Sequence, residues 1–269
     1  MKALVSTERI RFALQLADVA ADIVRARYRT PFTSESKADA TPVTEVDREV
    51  EAACRERVAT AWPDEGVIGE EFGADQPGAA WQWIIDPIDG TRAFMAGRPT
   101  FGTLIAVAYE GRSVLGVIDQ PIVRDRWLGV AGQSTLFNDE PVVTRRCGRL
   151  HDAVVGTTTP ELFQADELPS WQELQRQTAS RIYGGDCTIY GALACGWLDV
   201  VVERGLKLYD FAALVPIVEG AGGSMTDWQG NELTTNSHGH VLALGDKALR
   251  AAARRALSRH DSVSATRRA

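Results

Sequence analysis

The stretch Trp83-Ile84-Ile85-Asp86-Pro87-Ile88-Asp89-Gly90-Thr91 places two carboxylates and a turn directly after an apolar run. The apolar run predicts a buried strand. Pro87 fixes its own φ and favours an extended residue before it, so the strand is expected to stop at Asp86. Gly90 permits backbone geometry and a close approach that a side chain would block. Thr91 is expected to open a helix, whose free N–H groups attract an anion such as phosphate.

Two interpretations of this stretch compete. Carboxylates beside a group of free N–H donors are the hard oxygen ligands that Mg²⁺ prefers, which indicates a metal-dependent phosphate site. A Pro-Ile-Asp-Gly segment is also typical of a surface turn whose acids are solvated. On these residues alone both interpretations stay open.

Composition narrows the class of protein. The chain has 269 residues, 45% hydrophobic and 24% charged, enough for one large domain or two closely packed halves. A net charge of −7 and a pI of about 5.2 argue against a dedicated nucleic-acid binder. With no charged-then-apolar leader and no apolar run of membrane-spanning length, we expect a soluble cytoplasmic protein. No Cys-x-x-Cys pair occurs, which favours free thiols at Cys54, Cys147, Cys187 and Cys195.

Acidic residues also recur on the N-terminal side of the opening stretch. Apolar periodicity predicts a helix over 7–29 and a second from Thr44, with Asp47 placed for a capping box. Asp47 therefore has either a structural or a functional role. The polar segment 33–41 is expected to be a mobile loop or a hairpin. A strand at 67–68 leads into Gly69-Glu70-Glu71-Phe72-Gly73, either a solvated turn or further oxygen ligands that a neighbouring strand brings to Asp86.

The C-terminal side predicts more strands and a third acidic motif. Strands over 103–109, 114–119 and 127–131 form an antiparallel meander with one face on helices. Further strands are expected near 153–157, 181–183, 200–203, 224–227 and 240–245, with helices over 167–177, 188–195 and 246–257. Asp210 starts an apolar helix that ends in a Gly-rich stop, where it is also a plausible cap. The polar, basic residues 258–269 are expected to fray.

Three acidic motifs now stand in order: Gly-Glu-Glu at 69–71, Asp-Pro-Ile-Asp-Gly-Thr at 86–91, and Tyr-Asp-Phe-Ala-Ala through Gly-Gly at 209–223. Together they resemble the inositol monophosphatase family of Mg²⁺-dependent phosphatases, over nearly the whole chain. The resemblance implies an α+β fold, a layered α-β-α-β-α sandwich of the inositol monophosphatase / fructose-1,6-bisphosphatase type. An N-terminal α+β half over 1–137 and a C-terminal α/β half over 138–269 would form one compact catalytic unit, and the family implies a homodimer.

The resemblance also implies a ligand set and catalytic roles. Two or three Mg²⁺ ions per site would be held by Glu70, Asp86, the Ile88 carbonyl, Asp89 and Asp210, with Asp86 shared between ions. Thr91 and Glu70 would position or deprotonate a water, with Asp47 behind, hydrogen-bonded to Thr91 or to a metal-bound water. The N–H groups of Gly90 and Thr91 would hold phosphate oxygens.

Substrate choice is expected to depend on residues outside this shared machinery. Glu203 stands where the family places a glutamate that touches the organic part of the substrate, and the chain reads Gly184-Gly185-Asp186-Cys187 where inositol phosphatases usually have small apolar residues. A carboxylate at Asp186 suits an ammonium group, since the two make a charge-assisted hydrogen bond; a helix-capping role is the alternative. The implied substrate contacts are Asp89, Gly90, Thr91, Gly185, Asp186, Glu203 and Asp210.

Segments 92–99 and 116–121 are similar to the histidinol-phosphatase branch of the family. The sequence therefore predicts hydrolysis of the phosphate ester L-histidinol phosphate, in histidine biosynthesis. An inositol-1-monophosphatase or broad sugar-phosphate phosphatase is the alternative within the enzyme class. Some relatives act in RNA polymerase or ribosomal RNA regulation, and only the basic tail Arg254–Arg268 favours such a binding role here.

Overall fold

A computed structural model of the protein describes residues 5–36 and 42–258, which contain eight α-helices, three short 3-10 helices and fifteen strands. The helices are α1 (Thr7–Arg27), α2 (Glu45–Ala61), α3 (Thr91–Met95), α4 (Leu168–Arg176), α5 (Thr188–Ala194), α6 (Leu208–Phe211), α7 (Leu214–Gly220) and α8 (Arg250–Ser258). The first ten strands are β1 (Ser34–Ser36), β2 (Pro42–Thr44), β3 (Gly66–Gly69), β4 (Gly73–Asp75), β5 (Trp81–Asp89), β6 (Gly102–Tyr109), β7 (Arg112–Gln120), β8 (Asp125–Val130), β9 (Leu136–Phe137) and β10 (Glu140–Pro141). The remaining five are β11 (Val154–Thr157), β12 (Ser180–Tyr183), β13 (Val200–Glu203), β14 (Ser224–Thr226) and β15 (Val241–Leu244). Residues 37–41 of the 33–41 segment and the basic tail after Ser258 lie outside the described residues.

Two large sheets and three groups of helices stack in five layers. An eight-stranded sheet has the order β10-β9-β8-β7-β6-β5-β3-β4, and a five-stranded sheet has the order β12-β11-β13-β15-β14. Helices α1 and α2 pack on the outer face of the large sheet, α5 to α7 lie between the sheets, and α4 and α8 cover the outer face of the small sheet. The predicted α-β-α-β-α sandwich is confirmed.

Strand β5 sits inside the large sheet with both faces covered. Trp83 and Ile85 pack in the cluster formed with α1 and α2, whereas Ile84 packs in the cluster between the sheets. Successive side chains of a strand point to opposite faces, so a strand covered on both faces reads as a continuous apolar run. The same arrangement corrects the expectation of a meander packed on one face, because β6 and β7 contact α1 on one side and α5, α6 or α7 on the other.

The expected end of β5 at Asp86 is wrong. The strand continues to Asp89, which pairs with Gly102 after an irregularity in the register. Pro87 lies within that irregularity, where its missing N–H breaks no ladder bond, and its carbonyl accepts a hydrogen bond of 2.8 Å from Thr103 Oγ1. The bulge therefore carries both aspartates to the same end of the sheet without ending the strand.

Helix α2 begins as the sequence predicts. Thr44 is its N-cap and forms a capping box with Asp47, whose Oδ2 accepts the Thr44 N–H at 2.9 Å. The first residues of segment 33–41 form strand β1, which pairs with β2 as the hairpin alternative expects, and residues 37–41 between the two strands are outside the described residues. The division into halves at residue 137 stays a prediction, and the hairpin of β9 and β10 runs across that position.

Candidate active site

Three carboxylates from two distant segments converge at the C-terminal end of β5. One carboxylate oxygen from each of Asp86, Asp89 and Asp210 lies within 4.8 Å of the other two. Asp86 and Asp89 come from β5, and Asp210 comes from α6, which packs against that strand. The backbone N–H of Lys207 donates to Asp210 Oδ2 at 2.6 Å and orients the carboxylate.

Glu70 reaches the same place because β3 and β5 are parallel neighbours. Gly69 pairs with Ile85, and the Glu70 N–H donates to the Ile85 carbonyl at 3.3 Å. Glu70 therefore follows its strand at the level where Asp86 follows Ile85. Both residues line a cavity of about 460 Å³, together with Ile88, Asp89, Gly90, Thr91, Asp186, Glu203 and Asp210.

Burial and mutual repulsion raise the pKa values of these carboxyl groups. Burial raises the pKa of Asp86 and of Asp89 well above the ordinary range, and neighbouring carboxylates raise both further. Burial also raises the pKa of Asp210 to about 7, against the opposing hydrogen bond from Lys207. Without a cation, the site therefore favours partly protonated carboxyl groups.

Without a metal, the pH dependence of the free energy of unfolding should include a contribution from Asp210. Its pKa rises from an ordinary 3.8 to about 7, so the folded state binds more protons between these values and the free energy of unfolding falls as pH rises through them. Asp210→Asn cannot titrate. With EDTA present, the Tm of the variant minus that of the wild type should grow as pH rises from about 4.5 to about 7.5. A difference that is constant or shrinks with pH would contradict this.

The donor set fits a hard divalent cation. Six carboxylates line the cavity, against the cations Arg92, Arg204 and Lys207. A divalent ion among Asp86, Asp89 and Asp210 would replace their mutual repulsion by attraction, and carboxylate and carbonyl oxygens are the ligands that Mg²⁺ takes. The Ile88 carbonyl belongs to the same turn and accepts the Thr91 hydroxyl at 3.1 Å.

Gly90 needs to be glycine for two reasons. Its φ is +94°, and a Cβ at this position would lie 2.9 Å from Asp186 Oδ2 and 3.1 Å from Phe101 Cβ. Residue 90 also precedes α3, which begins at Thr91 as the sequence predicts. The Asp186 carboxylate thus lies directly against the turn that is predicted to hold phosphate.

We expect Gly90→Ala to lower the free energy of unfolding by about 1–3 kcal/mol and to reduce phosphatase activity. The cause is a left-handed φ combined with a forced displacement of Asp186 and Phe101. Gly132→Ala is the matched control, since Gly132 has a φ of +84° and a Cβ at this position would meet no described residue within 4 Å beyond its two chain neighbours. Equal loss of stability and activity in both variants would show that strain alone, and not the contact with Asp186, matters at residue 90.

Among the described residues, Asp47 and Gly185 are predicted site residues that do not line the cavity. The Asp47 carboxylate is fully buried and accepts from Thr44 Oγ1 at 2.6 Å, whereas the Thr91 hydroxyl donates to the Ile88 carbonyl. Of the two expected partners of Asp47, Thr91 is therefore absent from the described contacts, and a metal-bound water stays a prediction. Asp47 Oδ1 has no partner among the described residues. Burial raises the Asp47 pKa to about 6, and nearby Glu70 adds to the rise. Asp47 is therefore close behind the site, in its capping role.

The opposite wall carries Asp186 and Glu203. Gly184, Gly185 and Asp186 have consecutive φ values of +82°, +108° and +45°, a path that glycine and aspartate tolerate best. The Cys187 N–H that follows donates to Asp89 Oδ2 at 2.5 Å, which ties this turn to the acid cluster. Burial raises the Asp186 pKa to about 6, and Arg98 and Arg92 oppose the rise.

Several cavity features escaped the sequence-based prediction. Arg92 lines the cavity near Asp186. Its position directly after Gly90-Thr91 was the signal in the sequence that could have identified it as a cavity residue. Tyr190 also lines the cavity, and its buried hydroxyl has no hydrogen-bond partner among the described residues. The same holds for Glu203 Oε2, and burial raises the Glu203 pKa to about 8. This end of the cavity thus presents neutral polar groups that a ligand can engage.

The sequence profile of the inositol monophosphatase family matches residues 6–262. The chain belongs to the inositol monophosphatase family. Its members are metal-dependent phosphatases, and the resemblance drawn from the three acidic motifs is confirmed. In the described ranges, no helix is long and apolar enough to cross a membrane.

Similar proteins within the family carry more than one name. The bifunctional phosphatase IMPL2, chloroplastic, of Arabidopsis thaliana is 39% identical over 94% of this chain and 77% of its own length. A histidinol-phosphatase from Chlorobaculum parvum is 34% identical over 88% of this chain and 92% of its own. The structure of an inositol monophosphatase from Zymomonas mobilis has a TM-score of 0.87 and 48% identity, covering 94% of this chain and all of that one. Proteins named Nus factor SuhB also match, one from Pseudomonas aeruginosa at 31% identity over 90% of this chain and 93% of its own.

Proposed function

We propose that the protein is a Mg²⁺-dependent phosphomonoester hydrolase that converts L-histidinol phosphate and water to L-histidinol and phosphate, in histidine biosynthesis. The observation that carries the proposal is the contact of the Asp186 carboxylate with the Gly90 turn. In this substrate the ammonium group is bonded to the carbon next to the ester CH₂. A carboxylate beside the predicted phosphate-binding turn therefore meets the ammonium of a 1,2-amino alcohol phosphate.

The chain's own groups divide the chemistry between them. Glu70, Asp86, the Ile88 carbonyl, Asp89 and Asp210 would hold two or three Mg²⁺ ions, which polarise the phosphoryl group and acidify a water. Thr91 and Glu70 would orient that water and take its proton as its oxygen attacks phosphorus. The ester P–O bond breaks, and the leaving oxygen takes a proton to form the alcohol. The Gly90 and Thr91 N–H groups would hold the phosphate oxygens as charge shifts.

The far end of the cavity suits the rest of this substrate. Glu203 Oε1 accepts the Thr158 N–H, and Oε2 has no partner in the described parts of the chain. The Tyr190 hydroxyl, on the same side, is likewise a buried polar group with no hydrogen-bond partner in residues 5–36 and 42–258. A ring that both donates and accepts hydrogen bonds, such as imidazole, can satisfy such buried groups, whereas leaving them unpaired is unfavourable.

The decisive experiment compares phosphate esters with and without the amine. We would measure kcat/KM for L-histidinol phosphate, its analogue lacking the amine, and inositol 1-phosphate, each with Mg²⁺ and with EDTA. The proposal expects L-histidinol phosphate to be preferred and Mg²⁺ to be required. Equal or better turnover of inositol 1-phosphate would refute the substrate assignment, and activity unaffected by EDTA would refute the metal assignment.

A second candidate is an inositol-1-monophosphatase or a broad sugar-phosphate phosphatase, favoured by the 48% identity to the Zymomonas mobilis protein of that name. A binding role in transcription is the remoter candidate, since SuhB proteins are among the relatives. Growth without histidine of a deletion strain that carries an inactive Asp89→Asn variant would favour such a role. The cytoplasmic location and the homodimer stay predictions.

A further inference from the structure

Helix α2 contains a buried carboxylate that the proposed chemistry does not use. Glu51 is fully buried, one helical turn after Asp47. Its Oε2 accepts the backbone N–H of Glu71 at 2.6 Å, and its Oε1 accepts the N–H of Phe72 at 3.1 Å. The Glu51 carboxylate therefore binds the two residues that directly follow Glu70.

The surroundings are shaped to admit this carboxylate. A Cβ on Gly69 would lie 2.0 Å from Glu51 Oε1, so only glycine leaves room for the contact. Arg55 Nε donates to Oε1 at 2.7 Å, and Arg55 also pairs with Asp75 on β4. A buried carboxylate is unfavourable unless it is paired and hydrogen-bonded, and here a guanidinium and two N–H groups meet that need.

The Glu70 turn is consequently held on both sides. Before the turn, β3 pairs with β5, and the Glu70 N–H is bonded to Ile85. After the turn, Glu51 holds residues 71 and 72 against α2. The backbone on either side of Glu70 is anchored, although Glu70 itself lines an open cavity.

We propose that Glu51 is a positioning residue, which holds the turn of residues 69–72 so that the Glu70 carboxylate faces Asp86 and binds a divalent cation with it. The inference rests on the proposed metal-binding role of Glu70. Groups that orient metal ligands from behind typically change metal affinity by about 10- to 100-fold when they are removed.

The test is Glu51→Gln, with calorimetric titration of Mn²⁺ into metal-free protein as the main measurement. Glutamine has one oxygen in place of two and sets its NH₂ group against a backbone N–H, so one turn bond is lost. We expect the Kd for Mn²⁺ to rise by about 10- to 100-fold, along with the Mg²⁺ concentration for half-maximal activity. Glu56→Gln, on the exposed side of the same helix, should leave both within about twofold.

A scaffold role alone would give a different result. If Glu51→Gln lowers Tm but binds Mn²⁺ within twofold of the wild type, the proposal is wrong. Should that variant not fold, Arg55→Gln is the second test, because it keeps the Glu51 carboxylate but removes the guanidinium that orients it. We expect this variant to bind Mn²⁺ about 3- to 10-fold more weakly than the wild type. Unchanged affinity would count against the proposal. Wild-type protein that binds no Mn²⁺ would overturn the proposed metal chemistry, whereas equal binding by wild type and variants would overturn only the role of Glu51.

Discussion

Asp89→Asn should lower kcat/KM for the preferred phosphate ester by at least about a thousandfold, since metal-assisted displacement depends on the charge of the ligands. Asp89 is one of the three clustered carboxylates, and its Oδ2 accepts the Cys187 N–H. The amide oxygen of asparagine can accept the same hydrogen bond, so the local fold is retained. What the substitution removes is one negative charge from the cation site.

The same variant should be more stable than the wild type when no metal is bound. Burial and the charges of Asp186 and Asp210 raise the pKa of Asp89, so its ionised form is unfavourable in the metal-free fold. Asparagine is neutral at every pH. The Tm of the Asp89→Asn protein with EDTA at about pH 7.5 should therefore be higher than that of the wild type. The stabilisation by added Mg²⁺ should fall at the same time.

Steady-state kinetics and thermal unfolding, each with Mg²⁺ and with EDTA, check both expectations. The control is Asp64→Asn, because Asp64 is exposed, precedes β3 at the end opposite Glu70, and does not line the cavity. Activity within tenfold of the wild type would remove Asp89 from the proposed ligand set. A lower metal-free Tm would mean that the Cys187 contact outweighs the charge repulsion.

Residues close together in the chain indicate that Glu70 can lie near Asp86, whereas the full acidic cluster is what the family resemblance implies. Gly69 and Ile85 are register partners on parallel strands, so the acid that follows each of them lies at the same sheet edge. The Gly90-Thr91 turn and the Thr44 capping box are likewise determined by residues within a few positions of one another. Asp210 was placed by its motif, since nothing local connects α6 to β5.

Features that depend on distant partners were missed. Local rules predict that the strand ends before Pro87. In the fold, an irregularity in the strand pairing accommodates the proline, and its carbonyl accepts a hydrogen bond from Thr103, sixteen residues later. A charged residue in a helix, such as Glu51, is expected to be exposed from the sequence alone. Glu51 is buried because its hydrogen-bond partners lie twenty and twenty-one residues later in the chain. Arg98 acts on Asp186 across eighty-eight positions of sequence, and no local pattern contains that contact.

Asp186→Asn should lower kcat/KM for L-histidinol phosphate by about 10- to 100-fold, the value of a hydrogen bond to a charged group. Asparagine is a better probe than alanine, because residue 186 has a φ of +45°, which asparagine tolerates and alanine does not. The analogue without the amine makes no ammonium contact with residue 186, so Asp186→Asn should change the kcat/KM for this analogue by less than about threefold. The ratio between the two substrates isolates the contact from any effect on the fold.

The two arginines near Asp186 make this outcome informative. Arg98 and Arg92 already favour the ionised form of Asp186, and Arg92 lines the cavity. If Asp186 serves only to neutralise these arginines, then Asp186→Asn should affect every phosphate ester alike, through excess positive charge beside the Gly90 turn. A loss confined to the amine-bearing ester would instead mean that the Asp186 carboxylate, whose ionised form Arg98 and Arg92 favour in the free protein, binds the ammonium group of the substrate. Kinetics of the double variant Asp186→Asn with Arg92→Gln separates these cases, because restoring the charge balance should rescue the first and not the second.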